Sequence, residues 1–178
     1  MEATPVATAV TPEEFKAAFR HHPGGVSLIT AMGDTGPVAL TATSVTSVSA
    51  EPPLLVFSVS SISSSHGALT SASTVVVHLL AAEHQALATL GATSGIDRFA
   101  ETSLWAPLPT GEPRFHGPRW LRTRIVDRLP AGRATVLVGE VIETGGGSPT
   151  DGATAGDGLV YVDRTWHHIG ERSSVPSR

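Results

Sequence analysis

Between residues 41 and 49 the chain reads TATSVTSVS, six hydroxyl side chains in nine positions. Serine and threonine hydroxyls, together with the backbone N–H groups of a tight turn, can donate to a phosphate or to the polar edge of a heteroaromatic ring. A second run, SVSSISSSHG, covers residues 58–67. Between the two stand only a short turn and the buried strand that begins at Pro53, so one strand can present hydroxyls to a single ligand from both of its ends. The competing account is that such hydroxyls satisfy loop backbones in any protein, and each run taken singly reads that way.

Other chemistry is thinly supplied. The chain has no cysteine, which removes disulfides, thiolate metal sites and cysteine nucleophiles together. Lys16 is the only lysine, so arginine must serve any other anion clamp. Eight histidines include the adjacent pairs His21, His22 and His167, His168, but none has the spacing of a metal site, and no metal is expected. His78, inside TVVVHLL, reads as a half-buried strand residue with one hydrogen bond. No G-x-G-x-x-G, phosphate-loop lysine motif or G-x-S-x-G elbow occurs. Asp97, Arg98 and Phe99 read either as a loop ion pair beside a core anchor or as an arginine approaching a phosphate.

The elements that must position these residues follow from pattern and length. With 178 residues, 40% of them hydrophobic, the chain fits one domain, expected over residues 11–170 between flexible tails at 1–10 and 171–178. A net charge of -4 without a basic stripe argues against nucleic acid. The apolar runs are too short to span a membrane, and the N-terminus lacks a basic leader, so a cytoplasmic protein is expected. Thr11-Pro-Glu-Glu14 predicts a capped helix running through Phe15 and Phe19. GVSLITA and VALTAT around MGDTGP predict a hairpin, residues 53–59 a buried strand, residues 65–71 a short helix or turn, and AEHQALATLGA a small helix. Residues 94–120 read as a long ordered loop, and residues 122–129, 133–143 and 158–169 as three strands, the last two joined by a flexible glycine-rich loop. About seven strands without a βαβ rhythm predict an antiparallel barrel or sandwich.

The succession PGGVSLITA, ALTATSVTSVSAEPPLLVFSV, SSSHGAL, VVVHLL, DRFAE, GRATVLVGEV and LVYVDRTWHHIG resembles the short-chain flavin reductases. These are the NAD(P)H:flavin oxidoreductase components of two-component monooxygenases. The resemblance runs from about Phe15 to Gly170 and implies a mainly β fold, an antiparallel Greek-key split β-barrel with a few short flanking helices. It implies FMN or FAD, with NADH or NADPH as reductant, a homodimer and a flavin-dependent monooxygenase partner. By the same resemblance Thr41, Ala42, Thr43 and Ser44 lie along the isoalloxazine, and Ser47, Val48 and Ser49 support it. Ser58, Val59 and Ser60 meet the ribityl chain, Ser64 and Ser65 stand near the flavin phosphate, and Asp97, Arg98 and Phe99 border the flavin. No catalytic side chain is implied, because hydride transfer is a matter of positioning. The sequence departs from the family pattern at Ala134, where many members have a histidine near the nicotinamide, at Ser61, often Lys or Arg, and at His78, usually Asn. The rival readings are a flavin-binding protein of the same fold without efficient NAD(P)H oxidation, serving storage or delivery, and a ligand-free interaction module.

Overall fold

A computed structural model describes residues 10–147 and 157–175 of the chain. Most of the expected glycine-rich loop, and residues 1–9 and 176–178 of the expected tails, lie outside the described residues. Glu171–Ser173 form a 3-10 turn. No helix among the described residues is long and apolar enough to cross a membrane.

The chain opens with helix α1 (Pro12–Arg20), followed by the short strand β1 (Gly24–Gly25), β2 (Ser27–Gly33) and β3 (Gly36–Ala42). Next come β4 (Thr46–Ala50), β5 (Pro53–Ser60), α2 (His66–Ser71), β6 (Thr74–Leu79) and α3 (Gln85–Ala92). The second half holds β7 (Trp105–Pro107), β8 (Pro113–Phe115), β9 (Arg119–Ala131), β10 (Ala134–Gly145), β11 (Gly158–Val162) and β12 (Thr165–Ile169). Seven strands form one antiparallel sheet in the order β3-β2-β6-β9-β10-β5-β4; β1-β11-β12 and β7-β8 form two smaller ones.

The two edges of the large sheet, β3 and β4, are consecutive in the chain and are joined by residues 43–45 alone. Laid flat, seven strands would put those edges about 29 Å apart. Three linking residues reach about 14 Å at most. The sheet therefore curls until its edges face one another, yet no ladder joins β3 to β4. The result is the barrel with a split that the sequence predicts.

At the split, side chains replace ladder bonds. The β4–β5 register pairs Thr46 with Val56, so Ser44 falls opposite Ser58. There the Ser44 hydroxyl accepts from Ser58 N–H at 3.0 Å and lies 3.4 Å from Ser58 C=O. Helix α3 closes the other side: Thr41 Oγ1 donates to Ala88 C=O at 2.7 Å, and Gly91 is needed because a Cβ there would collide with Leu28 and with Thr41 Oγ1.

The core lies on both faces of the central strands, so β6 reads as a nearly continuous apolar run and β2 buries Ser27 and Thr30 along with its apolar residues. Ile29, Phe57, Val59, Leu69, Val75, Val77 and Leu137 fill the barrel. Leu28, Ala88, Phe99, Phe115 and Leu159 form a second cluster on the opposite face of β2. His78 is fully buried beside it, against the expectation of half-burial and one bond. Its Nε2 accepts from Phe115 N–H at 3.0 Å, which leaves Nδ1–H to donate to Leu28 C=O at 2.9 Å. Both ring nitrogens of the neutral imidazole are thereby satisfied, and the ring fastens β8 and β2 to β6.

Two other expectations change. Residues 94–120 are not a plain loop: they carry the β7–β8 hairpin, anchored by Phe99, Trp105 and Phe115, with Phe99 5.0 Å from Trp105 and 5.3 Å from Phe115. Residues 158–169 are not one strand but a hairpin, since Asp163 (φ 47°) and Arg164 (φ 61°) both adopt the left-handed region and reverse the chain in two residues.

Two measurements follow. Burial pushes the His78 imidazole down to about 4, with the Leu28 bond opposing and the Arg114 charge assisting. Both states are neutral there above pH 6.5; below it the unfolded chain takes up a proton that the folded protein refuses until about pH 4. Stability therefore falls as pH drops across that window, by a total on the order of 3 kcal/mol. Denaturant unfolding should show this slope for the wild type and a flatter one for His78→Asn; equal slopes would refute it. Ser44→Ala, which strips the half-buried Ser58 backbone of its partner, should destabilise by about 1–2 kcal/mol in the same assay, and a change within error would show the seam bond to be dispensable.

Candidate functional site

The seam opens onto a cavity of about 580 Å³ that includes Thr43 and Ser44. Its floor is set by β1. Gly24 pairs with Tyr161 of β11, and a Cβ on Gly24 would stand 2.8 Å from the Thr43 Cβ, so glycine lets the hydroxyl loop approach that strand. One wall is α1. Thr11 caps this helix, with the Glu14 carboxylate accepting from Thr11 N–H at 2.8 Å, and its last carbonyl, Arg20 C=O, accepts from Asp163 N–H at 2.8 Å. From this wall Phe15, Lys16, Phe19 and Arg20 border the cavity; Tyr161 and Arg164 border it from the hairpin.

A second cavity, of about 700 Å³, includes Ser60, Arg133 and Ala134, and Phe15 and Lys16 border it as well. One face of α1 is therefore common to the end of β3, where the first hydroxyl run begins to leave the sheet, and the end of β5, where the second begins.

The residues predicted from the sequence divide accordingly. Thr43 and Ser44 lie in the first cavity and Ser60 in the second. Thr41 is committed to α3, Ala42 and Val59 are core, and Ser58 offers its backbone to Ser44. Val48 is the bulged residue of β4 and is 58% exposed between Ser47, also exposed, and Ser49, whose hydroxyl accepts from Glu51 N–H. Ser64 is exposed, whereas Ser65 is buried and donates to Ala39 C=O at 3.0 Å. Asp97, Arg98 and Phe99 border neither cavity. Asp97 accepts from Phe99 N–H at 2.9 Å instead of pairing with Arg98, Arg98 donates to Thr93 C=O at 2.7 Å, and Phe99 is the core anchor. The Arg98 Nε is buried with no acceptor among the described residues.

Sequence reasoning missed the α1 face and the β11–β12 turn. The signal for α1 was present: Phe15 and Phe19 repeat at four residues, as do Lys16 and Arg20, on a helix the capping box already announced. Asp163-Arg164 gave no such signal, because left-handed turns usually use Asn or Gly.

The donor set fits a phosphorylated heteroaromatic ligand. Hydroxyls and seam backbone can hold the polar edge of one ring, while Phe15 and Phe19 can take the face of a ring beside the cations Lys16, Arg20 and Arg164, which suit an anion. The volume of either cavity lies in the usual range for such ligands.

A family model described as flavin reductase like domain matches residues 19–170. An NADH:FMN oxidoreductase of Rhodococcus qingshengii is 46% identical over 141 residues, 78% of this chain and 73% of that protein. The reductase component of a 4-nitrophenol 4-monooxygenase/4-nitrocatechol 2-monooxygenase of Rhodococcus opacus is 30% identical over 170 residues, 91% of this chain and 84% of that one. The crystal structure of a flavin reductase domain protein from Arthrobacter sp. FB24 matches at a TM-score of 0.81 and 32% identity, covering 94% of this chain and 98% of that chain. Hydroxyl seam, split barrel and sequence agree, and the chain belongs to the flavin reductase like domain family.

Proposed function

We propose that this protein is an NAD(P)H-dependent flavin reductase that supplies reduced FMN or FAD to a partner monooxygenase. The observation that carries the reading is the seam at Thr43 and Ser44, which lies in the link between the unpaired edges β3 and β4 and faces a cavity with aromatic and cationic walls. Bound flavin and nicotinamide supply the hydride acceptor and donor between them. What remains for the chain is to bind and orient two rings, which fits a site without a thiol or buried lysine. The Thr43 hydroxyl and the seam backbone hold the flavin edge, while Ser44, tied to Ser58, keeps the loop in place. In this reading the second cavity takes the nicotinamide, because it is lined by Ala134, the position where many family members have a histidine near that ring. The homodimer belongs to the same reading, supported by Val48, Val126 and Leu129, which are 58%, 49% and 60% exposed on their strands; a monomeric mass by light scattering would remove it.

Ala134 favours a second reading, flavin binding without NAD(P)H oxidation, because a methyl group stands where a nicotinamide-side histidine is common in the family. Anaerobic mixing of protein with each pairing of FMN or FAD with NADH or NADPH separates the two. Bleaching of the flavin band well above the protein-free rate is expected for at least one pairing; bleaching at the protein-free rate in all four, beside a positive flavin titration, selects the second reading. Ala134→His should lower the KM for the nicotinamide several-fold, about 1 kcal/mol in affinity. An unchanged KM would show that this position does not touch the reductant.

A further inference from the structure

Helix α1 is nine residues long and buries none of them. A helix that short is marginal in water by itself, and most are held by the apolar face they bury. This one is held at its ends, by the capping box at Thr11 and by the Arg20 bond to the β11–β12 turn. Its middle is left for something else. Phe15 and Phe19, one turn apart with ring centroids 4.8 Å from each other, are 58% and 56% exposed and both border the seam cavity. Lys16 and Arg20 repeat at the same spacing, and Arg164 joins them at the cavity. Three cations thus meet one carboxylate, Asp163, and neither Arg20 nor Arg164 has an acidic partner among the described residues. Lys16 has only Glu13, 3.8 Å away in a solvent-exposed pair of little strength.

Exposed aromatic faces beside unpaired cations are the chemistry of nucleotide recognition: a base stacks on the rings and phosphates take the guanidinium and ammonium groups. This platform is built from α1 and the β11–β12 turn rather than from the hydroxyl loop, so it matches a second aromatic ring joined to a diphosphate. We propose that α1, with Arg164, clamps the adenylate half of the nicotinamide dinucleotide: adenine against Phe15 and Phe19, the diphosphate among Lys16, Arg20 and Arg164. The ligand's identity rests on the reductase reading; the aromatic and cationic platform does not.

The test is calorimetric titration with ADP-ribose, which carries adenine and diphosphate but no nicotinamide ring, into the wild type and the Lys16→Ala/Arg20→Ala double variant. Alanine is the best helix former and both side chains are exposed, so α1 should persist, with circular dichroism and unfolding as controls. The wild type should bind ADP-ribose and the double variant should bind it about tenfold or more weakly, with FMN affinity shifting less than about twofold. Phe19→Ala should weaken ADP-ribose in the same direction. In turnover the KM for NADH should rise about tenfold, and that for reduced nicotinamide mononucleotide, which lacks the adenylate, by less than about twofold. No binding of ADP-ribose by the wild type overturns the proposal, as does equal affinity in the variant. Loss of FMN affinity with ADP-ribose binding intact also overturns it and gives the cations to the flavin phosphate. Should ADP-ribose binding fall as expected in a protein that reduces no flavin, the clamp stands and the reductase reading falls.

Discussion

Residues 43–45 are the tightest constraint in the molecule, because they join the two edges of a seven-stranded sheet that would otherwise lie about 29 Å apart. Everything near the site follows from that link. It forces the sheet to curl, and because no ladder forms between β3 and β4 the curl ends in a gap rather than a closed barrel. Small side chains suit such a turn: Ser44 reaches back to the Ser58 backbone, which a larger residue would push away, and Thr43 fits beneath Gly24. The hydroxyl-rich composition of residues 41–49 is first a solution to this closure problem.

Unpaired sheet edges expose donors and acceptors and invite unwanted pairing. Here the two edges face each other, one bound to α3 through Thr41 and Ala88, the other interrupted by the Val48 bulge. The same runs therefore divide between structural bonds and, on the proposed reading, recognition. Thr41, Ser44, Ser49 and Ser65 spend their hydroxyls on the backbone, whereas Thr43 keeps its hydroxyl for the seam cavity. Neither account of the serines and threonines excludes the other, and burial decides which applies at each position.

Much of this was legible in the residues. The capping box placed α1, the alternation in VSLITA and VALTAT placed a hairpin, and the run after Pro53 placed the buried strand, since each is a local pattern with one stable outcome. What the sequence hid was decided by partners distant in the chain. His78 looks like a half-exposed strand residue until Phe115, 37 positions away, supplies its N–H. The β7–β8 pair is three residues a side, too short to alternate. The Asp163-Arg164 reversal sets an arginine, which rarely adopts positive φ, beside the aspartate, and no glycine or asparagine marks the turn. Thr43 and Ser44 were readable as part of a candidate site, but the α1 residues that border the same cavity were not, because they are distant in the chain from the seam.

That wall differs physically from the rest of the cavity. The seam is bolted to a core in which β2 and β6 are buried on both faces and His78 fixes three strands together. Helix α1 contributes no buried side chain to that core, and its last carbonyl, Arg20 C=O, is tied to the β11–β12 turn. Displacing it exposes little apolar surface, so its local opening is inexpensive compared with any movement of the seam. A site that must admit a dinucleotide and release it at every turnover needs one rigid surface to fix the geometry of hydride transfer and one that yields for entry and exit. On the proposed reading the hydroxyl seam meets the first need because it is the fold's closure, and α1 meets the second because the fold does not depend on it.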